Sequence, residues 1–351
     1  MWLSPAIALV GIVVALSAAR AQNFHIQDAG LAKNWDLSQL KPATIVFSDQ
    51  QNNSSGGSEG EANLIAFADW ARTQPVQKQF LALFPGYAEP TVNKVARAGV
   101  ARSAVLEKLT MYVAQARFML DRPPGTLGLA RYVSLAFLEK IDPAIKHKAI
   151  AAADINPLTD PQGIGNENPQ RKWCTGRDTL VCVQSSYKLE GKIPIGIALV
   201  NKLRDSPKKI SDQIDFESEL SLVPSADIDA AGLKQLTGLD TPVAGVLAQN
   251  IFYVNQIMKF GKFFAVFQND PADPKKTVVT AYMALAIESS VLDKKKEFEN
   301  VPVLRNLVPA QVLMGQSSFN SGNSISAGLP KYARNEIRTV AGLLQAGTAA
   351  K

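Results

Sequence analysis

The sequence predicts an α+β protein, with a helical N-terminal layer followed by an antiparallel sheet that a C-terminal helix covers. Three observations predict it. Between Pro90 and Leu120 apolar residues recur at steps of three and four, from about Lys172 the period falls to two, and Leu329 to Leu344 returns to helical spacing with one apolar stripe. With 351 residues, of which 46% are hydrophobic and 19% charged, the chain is globular and has material for a large core.

The first element is Met1 to Ala21, whose apolar run from Pro5 to Ala18 is shorter than the roughly 20 residues that cross a bilayer. It reads as a secretory signal, and Ala19-Arg20-Ala21 supplies the small-x-small pattern for cleavage before Gln22. No Lys or Arg precedes the apolar run, so an uncleaved anchor is the alternative. The expected location is periplasmic or secreted. Cleavage removes Arg20 and lowers the formal net charge of +6 by one, a modest excess compatible with peripheral contact to anionic lipid, to which Lys208-Lys209 and Lys294-Lys295-Lys296 would contribute. No basic stripe interleaved with aromatics and no nucleic-acid-binding module is present, so no nucleic-acid partner is expected.

Residues 22–60 are expected to form an extended arm and a flexible linker. The arm holds the β-prone run Thr44 to Phe47, and Asp49 to Gly60 is too polar to bury surface. Residues 61–155 are expected to be helical. Leu64 to Trp70 suggests a short helix and a second follows Pro75. The longest, about Pro90 to Leu120, carries Val95, Gly99, Arg102, Leu106, Leu109, Val113, Ala116 and Leu120 on one seam. That seam packs within the chain or, alternatively, joins two copies. About Thr126 to Ile141 is expected to be a buried helix.

Residues 156–351 are expected to form the antiparallel α+β region, packed alone or as one unit with 61–155. Leu180 to Leu189 and Ile214 to Leu222 alternate as strands flanking a helix at Ile193 to Asp205. Val243 to Met258 is expected to turn at Lys259 to Lys262 into Phe263 to Gln268, and Asn269 to Lys276 leads into Thr277 to Leu292. Both faces of this meander are apolar, so it needs cover on both sides. The order strand, helix, strand, three-strand meander and terminal helix, over about 172–344, resembles the helix-grip fold of START-like lipid-binding domains. The resemblance implies a cavity for a hydrophobic molecule between sheet and terminal helix; the helical N-terminal half departs from it.

Cys174 and Cys182 flank a Gly-containing polar turn and are expected to pair, since an oxidising compartment favours a local disulfide. A redox or metal role would need Cys-x-x-Cys spacing or further ligands. With only His25 and His147 in the chain, metal sites built on clustered His and triads with a His base have almost no raw material. His147, in Lys146-His147-Lys148, reads as part of a charged helical surface. Ser185-Ser186-Tyr187-Lys188 matches Ser-x-x-Lys, but on a strand the two ends point to opposite faces. Asp215, Glu217 and Glu219 share a strand face that reads as solvated.

No metal or cofactor is expected, and an enzyme ranks below two other classes. The first is a non-enzymatic carrier of a hydrophobic small molecule or lipid, with Tyr253, Asn255, Gln256, Phe263, Tyr282, Met283, Ala333 and Ile337 as candidate ligand-binding residues. The second is an envelope interaction or structural protein, in which those same residues form an ordinary packed core.

Overall fold

The computed structural model describes residues 24–28, 40–49, 65–66, 92–98, 101–107, 109–155, 173–175, 179–188, 213–223, 230–254, 258–288 and 325–347. Among them the strands are β1 (His25–Asp28), β2 (Thr44–Asp49), β3 (Ile65–Ala66), β4 (Val92–Ala98), β5 (Ala101–Glu107) and β6 (Leu109–Leu120). They continue with β7 (Lys146–Ala149), β8 (Leu180–Lys188), β9 (Gln213–Val223), β10 (Val243–Val254), β11 (Met258–Asn269) and β12 (Thr277–Glu288). The helices are α1 (Leu135–Ile141), α2 (Ala230–Thr237) and α3 (Ile325–Ala346).

Ten strands form one mixed sheet in the order β1-β2-β6-β12-β11-β10-β9-β8-β7, with β3 also on β6; β4 and β5 pair separately. β1 runs parallel to β2, and the other pairings are antiparallel. The sheet runs across the expected boundary at residue 155, because β6 pairs with β12 from Leu120↔Thr277 to Leu109↔Glu288.

The expected helix from Pro90 to Leu120 is instead β4, β5 and β6, so the seam offered as an oligomer surface is not a helical stripe. The reason is visible in β6. Ala114, Ala116, Phe118 and Leu120 face one core while Gln115 and Arg117 are buried on the other side, so period-two contrast is weak. Two further expectations change. Ile65–Ala66 is a strand, and Thr126 to Ile141 is two 3-10 turns, Pro124–Thr126 and Leu129–Tyr132, ahead of α1. Ser134 caps α1, its Oγ accepting from Phe137 N at 3.3 Å. The turn expected at Lys259 to Lys262 lies inside β11. Gly261 sits there because a Cβ would meet Leu285 Cδ2 at 2.9 Å and Ile251 Cδ1 at 3.0 Å. The segments 1–21, 50–60 and 193–205 and the helix after Pro75 lie outside the described residues.

The central strands are buried on both faces, as the apolar meander requires. α3 covers one face, packing Ala333, Ala341 and Leu344 into a core with Phe47, Phe118, Phe267 and Met283. α2 and Leu40 lie towards the other face, where Leu40, Val46, Leu239 and Val278 cluster. Further along, Trp173, Cys182, Phe252 and Tyr253 pack together, held by the Cys174–Cys182 disulfide. Among the described residues no helix is long and apolar enough to cross a membrane.

Candidate functional site

A cavity of about 160 Å³ lies between the sheet and α3. Strand register builds its floor. One row runs Leu220↔Gln249↔Phe263↔Met283↔Ala114 across five strands, and the next runs Leu222↔Leu247↔Ala265↔Ala281↔Ala116↔Phe47. Ala265, Ala281 and Ala116 are neighbours on adjacent strands, so the floor is hollow where side chains reduce to a methyl group. Ala333 on α3 removes bulk from the roof in the same way, and Phe137, Leu138 and Ile141 of α1 close one side. The resulting space matches the roughly 150 Å³ of an apolar cavity that holds benzene.

One wall is polar. Tyr332 and Glu336, one helical turn apart on α3, face the cavity together with Asp142 and His147. Asp142 follows α1 directly, where its Oδ1 accepts from Ala144 N at 3.0 Å. Burial, with Asp142 as a second negative neighbour, pushes the Glu336 carboxyl up from 4.5 to about 8, so the neutral acid dominates at pH 7. Burial first, then Glu336 and Asp142, hold the Tyr332 phenol well above its ordinary value. His147 Nδ1 lies 2.8 Å from Ser185 Oγ, and burial lowers its imidazole pKa against the opposing pull of Glu139 and Asp142. In the floor, Gln249 Nε2 donates to Ser218 Oγ at 3.2 Å.

The sequence-predicted residues divide. Phe263, Met283, Ala333 and Ile337 line the cavity. Tyr282 borders the floor, but alternation sends its ring to the opposite face, where its hydroxyl accepts from Gln115 Nε2 at 3.2 Å and its ring lies 6.4 Å from Phe264. Burial raises that phenol's pKa, and Arg117 opposes the rise. Tyr253 packs with Trp173, Cys182 and Phe252, away from the cavity. Asn255 and Gln256 lie outside the described residues.

Three other expectations are corrected. His147 is a half-buried residue of β7, not part of a helical surface. Glu217 and Glu219 are 1% and 2% exposed, so their face is covered rather than solvated. On it Glu219, Asn250 and Lys262 are cross-strand neighbours. Lys262 Nζ donates to Asn250 Oδ1 at 3.2 Å, Asn250 Nδ2 donates to Glu219 Oε1 at 3.2 Å, and Cys174 N donates to Glu219 Oε2 at 3.2 Å. Lys262 Nζ also sits 5.7 Å from the centre of the Trp173 ring, and burial lowers its pKa well below 10.5. Deeper on the same face Arg117 donates to Thr280 Oγ1 at 3.1 Å and to the Thr237 carbonyl, and burial lowers its pKa to about 10. Ser185 is buried and Lys188 exposed, as opposite strand faces require.

Sequence reasoning missed Asp142, His147, Ser185, Gln249 and Glu336. Only the i, i+4 spacing of Tyr332 and Glu336 was a signal; His147, Ser185 and Gln249 are placed by strand register and Asp142 by the end of α1. Among the described residues no group of three or more His, Cys, Asp or Glu is placed to hold a metal.

No protein-family model and no curated protein sequence matches the chain. Among solved structures it is similar to the Zhui aromatase/cyclase from Streptomyces sp. R1128, with 9% identity, a TM-score of 0.33 and coverage of 67% of this chain and 94% of that one. Norcoclaurine synthase from Thalictrum flavum, in complex with dopamine and hydroxybenzaldehyde, has 8% identity, a TM-score of 0.26 and coverage of 60% and 91%. Human STARD10 has 12% identity, a TM-score of 0.25 and coverage of 66% and 77%.

Proposed function

We propose that the chain is an exported, periplasmic binding or carrier protein for a hydrophobic small molecule, acting without a chemical step of its own. The observation that carries this reading is the alanine-floored cavity between the sheet and α3. A well-packed interior leaves few voids larger than a water molecule, and an apolar hollow of this size is the space a ring compound fills. Its volume favours a single-ring ligand over a two-chain lipid. Phe263, Met283, Ala333 and Ile337 are the contacts we assign to the ligand body.

Native mass spectrometry of protein purified from its own compartment is expected to show a non-covalent adduct that solvent extraction removes. Two added-volume variants separate a cavity from a packed core. Ala333→Leu fills the cavity and is expected to abolish the adduct with stability nearly unchanged. Ala284, fully buried and on the opposite face by alternation, has no such space, so Ala284→Leu is expected to cost about 1 to 3 kcal/mol through overpacking. No adduct, with equal destabilisation of both variants, would leave an interaction or structural protein as the account.

A further inference from the structure

The cavity's polar groups are unequally supplied. Among the described residues that line it, the charged or titratable side chains directed to this wall are Asp142, Glu336, His147 and Tyr332, and no Lys or Arg is among them. Glu336 makes no hydrogen bond or ion pair to any described residue, although it is directed into an apolar space where a carboxyl group ordinarily has a partner. Tyr332, one turn before it, is likewise without a hydrogen bond to the described residues. The groups facing Glu336 are Tyr332 from its own helix and Asp142 from the end of α1, while His147 of β7 is directed to Ser185. None of these supplies a positive charge at neutral pH, since burial disfavours the imidazolium form of His147. Among the described residues, then, no cation faces Glu336; Arg334, on the same helix, is turned onto the Phe47 ring at 4.4 Å, and the wall is complementary to a cation brought by a ligand.

We propose that the ligand of this cavity is a small ring compound bearing a cationic amine, with its ring on the Phe263, Ala265, Ala281 and Met283 floor and its ammonium group on Glu336, backed by Asp142. This rests on the binding function proposed above and names its ligand class. A cation arriving at Glu336 stabilises the carboxylate over the acid, so the bound complex gives up the proton that the free protein holds there. No bond to carbon is made or broken; the proton passes to buffer.

The test uses the mature protein and three probes of similar body: toluene, 2-phenylethanol and phenethylamine, titrated calorimetrically at pH 7 in two buffers of different ionisation enthalpy. Phenethylamine is expected to bind about tenfold or more tighter than 2-phenylethanol, with release of about one proton. Glu336→Gln, which keeps the shape of the neutral acid, is expected to remove both the preference and the proton release while toluene affinity stays unchanged. Asp142→Asn, which keeps the acceptor for Ala144 N, is expected to reduce the preference in part. If toluene binds and the amine has no advantage, or if its advantage survives in Glu336→Gln, the amine assignment is overturned and the cavity function stands. If none of the three probes binds, both fall together.

Discussion

At the scale of single residues, Glu336 has the largest consequence. Its carboxyl is pushed up to about 8 from 4.5, so between these values the folded chain holds a proton that the unfolded chain has lost. Stability attached to this group is present below about pH 4.5 and is lost as pH rises through about 8. Glu336→Gln cannot lose that proton. In thermal melts from pH 5 to 9, the difference in Tm between variant and parent is expected to move in the variant's favour as pH rises; a constant difference would show that Glu336 has an ordinary pKa. Such residues were illegible in the sequence for a definite reason. Glu336 looks like any helical glutamate, and His147 between two lysines looks like surface, until the His147↔Ser185 pairing of β7 with β8 turns the imidazole inward. Lys262 shows the same effect, for a lysine beside a glycine reads as a turn and yet is fully buried.

Among the elements, β8 to β12 and α3 were legible because alternation and helical spacing are local signals. β6 was not, since a strand covered on both faces has no consistent polar side, and its apolar residues fall by coincidence on a helical seam. The closing turn Asn269 to Lys276 was legible through its Pro and Asp content, and Asp270 and Asp273 there accept from Ala272 N and Lys275 N at 3.0 Å. The disulfide element was legible too, by its short spacing. It fastens Trp173 and the Cys174 amide over Glu219 and Lys262. Replacing Cys174 and Cys182 together by Ser is expected to lower stability by about 2 to 3 kcal/mol, the chain-entropy value for so short a loop, read from urea denaturation. A cost near zero would mean that the loop holds its place by packing alone.

For the molecule as a whole, the sheet that carries the cavity is assembled from distant parts of the chain. β2 supplies Phe47 to the floor and seals part of the edge of β6, and Phe24 beside β1 packs edge-on against Phe118 at 5.8 Å. A chain beginning at Asp49 would leave that edge open to other molecules. It is expected to aggregate on expression, judged by size-exclusion chromatography; a monodisperse, ligand-competent product would show that the first strands are dispensable. Alternation also ties the two faces of β9 to β12 together. Phe263 and Met283 look towards the cavity while Lys262 and Glu219 look away. Deleting one codon of β11 ahead of Lys262 would invert this assignment for the rest of that strand, turning Lys262 into the hollow and the Phe263 ring onto the face of Asn250 and Glu219. Length variation in this protein should therefore collect in its connections, such as the turn at 270–276, and leave the reading frame of the meander untouched over evolutionary time.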